Sequence, residues 1–404
     1  MTPPSGESLL VGAKDIAGAM VELRRAIYRE PEIGLELPLT RDKIVGALGD
    51  LGVSSVVGDT IDSVTCIIEG NGPGPTVLLR ADMDALDVTE EKVSGDDRGR
   101  SVTSGFVGRM HACGHDAHVA MLVGAASLLN AHRDDFSGSV LLFFQPGEEG
   151  WRGAQLALDA GLLDGPSAPT AAFALHVMPS LPTGVVATRP GTILASGAIV
   201  HIAVHGRGGH AALPRQCVDP VAALCHVVAA LEGVMNRDVA SDAPSVLSIT
   251  GLETSSALPN VIPDEARAIG TLRTCGDGDE LRLGSRLSSA ASAVAEAFGA
   301  KCEMDIEPVY PITRNDDRIA RAVLDVAGEL VGTEAVRELG APMMATEDFG
   351  FILERIPGAM AFLGVGGAGA SAEPLHSPRL QIDEEAFHIG AALHAAVALR
   401  FLRQ

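Results

Sequence analysis

Residues 13–29 carry apolar side chains at Ile16, Ala19, Met20, Leu23 and Ile27 with charged residues between them, a helical period that stops at Pro31. A second helix is predicted over about 39–51, closed by Gly52. The pattern then changes to short unbroken apolar runs, each followed by a polar cluster. Thr-Val-Leu-Leu-Arg (76–80) precedes Ala-Asp-Met-Asp, Ser-Val-Leu-Leu-Phe-Phe (139–144) precedes Gln-Pro-Gly-Glu-Glu, and Ala-Ala-Phe-Ala-Leu (171–175) precedes His176. A strand covered on both faces has no polar side to alternate with, so these runs predict buried strands. Helical patterns at 119–130 and 154–160 lie between them. The alternation predicts an α/β fold, a mixed sheet flanked by helices. In such sheets ligands sit beyond the carboxyl ends of the strands, where the polar clusters fall.

From about Thr188 the texture differs. Residues 199–204 alternate, and the glycine-rich His-Gly-Arg-Gly-Gly-His (205–210) follows. A helix at about 218–235, runs at 245–251 and 266–273, a helix at about 279–298 and a run at 301–309 complete the order β, α, β, β, α, β. This predicts a small ferredoxin-like sandwich over 189–309, inserted into a first domain made of 1–188 and 310–404. The glycine-rich stretch 364–369 is expected to be a surface turn.

Composition narrows the function. The chain of 404 residues is 47% hydrophobic and 20% charged, with a formal charge of −22 and no basic patch, so nucleic acid is excluded as a partner. The N-terminal residues lack a secretory pattern, and the apolar stretches near 222–231 and 389–402 are too short or too broken to span a bilayer. No membrane partner is expected. Six scattered cysteines form no Cys-x-x-Cys pair, which predicts reduced thiols and a cytoplasmic location. Cys66, Cys217, Cys225, Cys275 and Cys302 are expected to be buried as small apolar residues.

The remaining cysteine lies in His-Ala-Cys-Gly-His-Asp-Ala-His (111–118), where five of eight side chains can ligate a metal or move a proton. Alone, this octet admits a metal site, a Cys–His nucleophile pair, or a polar loop that satisfies its own hydrogen bonds. A nucleophile needs one base, whereas a metal needs ligands gathered from several strand ends. The rest of the chain has the second pattern. Glu148-Glu149 follows a buried run, where adjacent carboxylates repel unless a cation or a shared proton relieves them. His176 stands at another strand end, and His376 lies in the loop Pro-Leu-His-Ser-Pro.

Nine ordered motifs carry a family likeness. They are Leu-Leu-Arg-Ala-Asp-Met-Asp-Ala-Leu (78–86), Arg-Met-His-Ala-Cys-Gly-His-Asp-Ala-His (109–118), Phe-Gln-Pro-Gly-Glu-Glu-Gly (144–150), Leu-His-Val-Met-Pro (175–179), Gly-Arg-Gly-Gly-His-Ala-Ala-Leu-Pro (206–214), Asn-Val-Ile-Pro (260–263), Gly-Thr-Leu-Arg-Thr (270–274), Thr-Glu-Asp-Phe-Gly (346–350) and Leu-His-Ser-Pro (375–378). Over nearly its whole length the chain resembles the dinuclear metal amidohydrolases. These are the hippurate hydrolases, N-acyl-amino-acid deacylases and indole-acetyl-amino-acid hydrolases of the aminoacylase and carboxypeptidase superfamily.

The resemblance implies a catalytic metal-binding domain with an inserted lid and dimerisation domain, and two divalent metal ions per subunit. Zinc, manganese, cobalt or nickel all suit the ligand set. Cys113 matches the bridging thiolate, with His115 and Glu149 on one side and His176 and His376 completing the pair. Glu148 matches the general base that takes a proton from the attacking water and returns it to the leaving amine. His210 matches a lid histidine that reaches the partner subunit's site and stabilises the oxyanion. Asn260 and Arg273 match positions that bind the substrate carboxylate, and Asp84 a carboxylate that orients a ligand.

His111 and His118 match no ligand and are assigned supporting roles, while Asp82 stays open between support and a plain turn residue. Departures from the family are Tyr28 where histidine is common, Gly147 where alanine is usual, and Trp151-Arg152 where smaller residues follow the glutamate pair. The implied reaction is hydrolysis of the amide of a small N-acyl-amino acid by a metal-activated water, in a homodimer joined through the lid. Two alternatives are a dipeptidase or carboxypeptidase using the same site, and a non-catalytic metal-binding protein.

Overall fold

The computed structural model describes residues 4–91, 102–165, 167–238, 243–367 and 373–403. The chain divides into two compact units, one made of Met1–Ile193, Arg314–Gly340 and Asp348–Gln404 and the other of Leu194–Thr313 and Ala341–Glu347. The second unit lies within a few residues of the 189–309 read from the pattern. It also takes in 341–347, which that pattern assigns to the first domain.

The first unit is built on an eight-stranded mixed sheet. Its strands run, edge to edge, Ser55–Val57, Val64–Glu69, Ser139–Gln145, Thr76–Asp82, Ala171–Met178, Gly358–Gly364, Val186–Thr188 and Val336–Glu338. The four strands from Ser139–Gln145 to Gly358–Gly364 are mutually parallel, so their carboxyl ends share one edge. All three apolar runs predicted as buried strands are among them. Thr76–Asp82, Ala171–Met178 and Gly358–Gly364 are buried along their whole length. Phe143, Phe144, Phe173 and Phe387 are fully buried, each stabilising the fold by about 1.5–3 kcal/mol.

Helices His115–Ala131 and Phe387–Phe401 pack on each other and on this sheet, and both are apolar on nearly every face. The helix read as 13–29 is two helices, Gly6–Asp15 and Ala17–Arg29, because Ile16 leaves helical geometry at φ −101°, ψ 3°. The helix read as 119–130 begins at His115, which moves that side chain from a loop into a helical first turn. Arg24 fastens this turn from the neighbouring helix. Its Nε lies 2.5 Å from Asp116 Oδ2 and its Nη1 3.2 Å from Glu384. Tyr28 is buried beside it and donates to Glu90 at 2.9 Å, so this departure from the family is a packing feature.

In the second unit, strands Ser196–His205, Ser245–Thr254, Glu265–Thr274 and Lys301–Tyr310 form an antiparallel sheet with Ser245–Thr254 and Lys301–Tyr310 at its edges. Helices Pro220–Asp238 and Asp279–Ala297 cover one face, through Leu224, Val227, Leu231, Leu283 and Leu287. The element order is the predicted β, α, β, β, α, β, with the short strands Gly209–His210 and Val261–Ile262 added. Cys225 lies on the outer face of its helix and is exposed, and Cys217 is half-buried, so neither is the core residue the composition suggested. The turn expected at 364–369 starts later than the pattern suggests, since Gly364 ends a buried strand and Val365 is buried; residues 368 and 369 lie outside the described residues.

Candidate metal centre

Gly114 sets the geometry of the octet. It sits at φ +86°, and a Cβ there would run into Val177 Cγ2, so only glycine lets the loop press against the strand Ala171–Met178. This close approach brings Cys113 Sγ to 3.5 Å from His176 Nε2, and the helix starting at His115 turns that imidazole the same way. One ligand atom each from Cys113, His115 and His176 lie within 4.8 Å of one another. The same holds for Cys113, Glu149 and His376, and for His115, Glu148 and Glu149. Cys113 thus belongs to two of these groups. Glu149 Oε1 is nearer His376 Nε2, at 3.2 Å, than His115 Nε2, at 3.9 Å.

The glutamate pair is held from behind. Asp84 Oδ1 accepts from the Glu148 N–H at 3.1 Å and its Oδ2 from the Glu149 N–H at 3.0 Å. Asp84 Oδ1 also lies 3.4 Å from His115 Nδ1, so one carboxylate aligns the pair and faces the His115 ring. Gly147 turns the chain just before the pair at φ +72°, where a Cβ would meet Leu35, so the departure from alanine suits this left-handed position. Trp151 is half exposed with its ring over Gly34. His376 adopts φ +68°, a conformation costing a non-glycine residue about 1–3 kcal/mol, and its N–H is tied to the Ala112 carbonyl at 2.7 Å.

Beneath these ligands runs a buried charged network. Arg80, 2% exposed, donates to Asp82 at 2.6 Å, to Gln145 at 2.9 Å and to Asp348 at 2.9 Å. Gln145 and the Ala154 N–H donate to Asp348 in turn. Asp82 also meets His118 Nδ1 at 2.5 Å. Burial pushes the Asp82 carboxyl up, but His115, the Arg80 guanidinium and the hydrogen bond from His118 outweigh it and hold it well below the usual range. Burial likewise pushes the Cys113 thiol up, and the His115 and His176 imidazoles overcome it, bringing it down to about 6. That direction favours the thiolate, the form that ligates metal.

The site passes a physical test of fit for cations. Both ring nitrogens of the buried His115 and Oε1 of Glu149 have no hydrogen-bond partner among the described residues, although buried polar atoms are ordinarily paired. A thiolate, three imidazoles and a carboxylate are donors that suit zinc and its neighbours. Another candidate group, Asp82 with His115 and His118, does not fit. Both nitrogens of His118 are already engaged, one by Asp82 and the other by the Val177 N–H at 2.9 Å.

His210, Asn260 and Arg273 lie in the second unit. The ribbon of Gly209–His210 and Val261–Ile262 sets His210 opposite Val261, next to Asn260, whose carbonyl accepts from Ala211 at 3.0 Å. His210 Nδ1 accepts from the Ala212 N–H at 3.1 Å, which leaves the proton on Nε2 of an exposed ring. Arg273, half-buried, donates through Nη1 to the Met344 carbonyl at 2.6 Å.

The model of the family described as "Peptidase family M20/M25/M40" matches residues 78–400. The chain belongs to this family. It is 36% identical over 405 residues to IAA-amino acid hydrolase ILR1-like 4 of Arabidopsis thaliana, covering 99% of this chain and 89% of that protein. It is 35% identical over 400 residues to thermostable carboxypeptidase 2 of Saccharolobus solfataricus, covering 98% of each. Among solved structures, a Bacillus subtilis protein described as a dinuclear metal binding peptidase from the M20 family superposes with a TM-score of 0.82 at 29% identity, covering 96% of this chain and 99% of that one.

This M20 chain is thus an amide-hydrolysing enzyme of the fold its motifs implied. The octet, the glutamate pair, His176 and His376 converge on one edge of the sheet. His111 does not join them: it is buried, and neither ring nitrogen has a hydrogen-bond partner among the described residues. Arg80, Gln145 and Asp348 lie inside quoted motifs, yet the sequence pattern assigns them no role, and it leaves Asp82 open. The usable signal was Arg80 itself, a charge at the end of an otherwise apolar buried run.

Proposed function

We propose that this M20 enzyme hydrolyses the amide bond of small N-acyl-amino acids, releasing a carboxylate and a free amino acid. Two divalent ions held by Cys113, His115, Glu149, His176 and His376 would supply Lewis acidity, polarising the amide carbonyl and making the attacking water more acidic. The observation that carries the reading is Glu148. It is a buried carboxylate with an oxygen within 4.8 Å of ligand atoms of His115 and Glu149 yet outside both Cys113-centred groups, which leaves it beside the proposed ions as a proton acceptor. Asp84 aims it through its backbone N–H.

In this reading Glu148 accepts the proton of the attacking water and delivers it to the amine as the C–N bond breaks. The Nε2–H of His210 reaches the site of the partner subunit and donates to the oxyanion there, supported by the tautomer that the Ala212 N–H imposes. Asn260 and the guanidinium N–H groups of Arg273 not given to Met344 take the substrate carboxylate.

The carboxypeptidase reading keeps a claim through the Saccharolobus relative, since the same site chemistry serves either amide. A panel of N-acetyl-, N-benzoyl- and indole-acetyl-amino acids set against unblocked dipeptides decides between them. Glu148→Gln should retain two ions per chain and lose turnover by about 10²–10⁴-fold; near-normal turnover refutes the base assignment. We further propose a homodimer formed through the second unit, supported by the edge strand Ser245–Thr254 and the exposed Val246, Leu252 and Ile269. Sedimentation tests it. Six free cysteines support a cytoplasmic location, and among the described residues no helix is long and apolar enough to cross a membrane.

A further inference from the structure

The strands Thr76–Asp82 and Ala171–Met178 pair in parallel from Val77 opposite Ala171 to Arg80 opposite Ala174, and there the ladder stops. Past that point Val177 has no partner strand on this side among the described residues, one residue beyond the ligand His176. Its N–H is taken by a side chain instead, donating to His118 Nε2 at 2.9 Å. The Val177 carbonyl accepts from His176 Nδ1 at 2.7 Å, which leaves the lone pair of His176 Nε2 facing Cys113. Because His118 Nε2 accepts, its proton sits on Nδ1 and is given to Asp82, whose other oxygen is held by Arg80. The ring lies 4.4 Å from that of His176 and 5.5 Å from that of His115, centroid to centroid, packed beside both.

We propose that His118 is a positioning residue for the metal ligand His176. It replaces the missing strand at Val177, so the main chain and the carbonyl that selects the His176 tautomer stay in place. Asp82 keeps His118 in the one tautomer able to accept this bond, since a proton on Nε2 would oppose the Val177 N–H. His118 itself binds no ion. The inference rests on the metal site proposed above.

Two polar replacements separate the bond from the bulk. The amide oxygen of His118→Gln reaches the place of Nε2 and can accept from Val177, whereas that of His118→Asn reaches only the place of Nδ1. Zinc affinity of the full-length chain, by competition with a chromophoric chelator, should fall about 10–100-fold for Asn and by less than about 5-fold for Gln. The visible spectrum of the cobalt-loaded protein should change for Asn alone. His118→Phe stands in for Asn if that variant does not fold.

Equal affinities for Asn, Gln and wild type, or equal losses in both variants, overturn the proposal. So does a drop in the melting temperature of the metal-free chain with affinity and cobalt spectrum unchanged, which would mark a merely structural role. If the wild type binds no zinc or cobalt, the metal site fails; if it binds two ions and the variants match it, only this inference fails.

Discussion

Gly114→Ala tests whether the close approach of the octet to the strand Ala171–Met178 is what assembles the ligands. Two costs arise from the geometry. An alanine at φ +86° pays about 1–2 kcal/mol for a left-handed conformation. Its methyl group would also fall far inside the ~3.5–4.0 Å of a carbon–carbon contact with Val177 Cγ2, and overpacking of this kind costs about 1–3 kcal/mol. The single variant should therefore lose about 2–5 kcal/mol.

Val177→Ala removes the obstructing methyl and costs about 2–3 kcal/mol by itself, from two buried carbons at about 0.8 kcal/mol each plus the void they leave. In the double variant the methyl group introduced by Gly114→Ala enters that void. The two losses should then fall short of additivity by about 1–3 kcal/mol, while the conformational cost at the glycine position persists. Urea unfolding of the metal-free chain, with midpoints compared at constant slope, measures all four corners. Additivity within about 0.5 kcal/mol would refute the steric account. Zinc affinity should follow the same cycle, since Cys113 and His115 flank the glycine; an unperturbed affinity in Gly114→Ala would show that the loop does not position them.

Three further outcomes follow from the same contacts. Asp84→Ala strands the N–H groups of Glu148 and Glu149, and should cost about 1–3 kcal/mol for each together with a 10–100-fold loss of metal affinity, read by unfolding and by metal titration. Arg80→Met leaves Asp82 and Asp348 buried without their cation and should cost about 3–5 kcal/mol, and adding Asp348→Asn should recover part of the lost melting temperature. His394 is buried against Phe173, and burial pushes its imidazole from 6.5 down to about 3, so its neutral form is favoured in the fold and stability falls as pH drops from about 6.5 toward 3. At pH 5 that amounts to about 2 kcal/mol, so His394→Met should reduce the stability lost between pH 7 and pH 5 by that amount, measured by urea midpoints at the two pH values.

Local pattern alone determined a good deal. Unbroken apolar runs mark strands covered on both faces, so Leu78–Leu79, Leu141–Phe144 and Phe173–Leu175 were legible as the middle of a sheet, and the polar residues after them as its functional edge. The candidate donor types were legible too, because thiolate, imidazole and carboxylate are scarce beside buried runs unless something pairs with them. What lay beyond reach were relations between distant segments. The pattern predicts that His118 supports the site but not that it caps a strand 59 residues away, and Asp82 reads equally well as a turn residue until Arg80, His118 and Asp348 surround it. The positive φ of Gly114 and Gly147 leaves no periodic trace, since a left-handed residue is required by what it touches and not by its neighbours in sequence. Hydrophobic period is a short-range property of the chain, so the sequence determines its elements and the kind of chemistry at their ends. Hydrogen bonds and steric contacts between segments form only in the packed molecule, so the tertiary structure alone decides which nitrogen of each histidine is tied to a neighbour and which faces the candidate site.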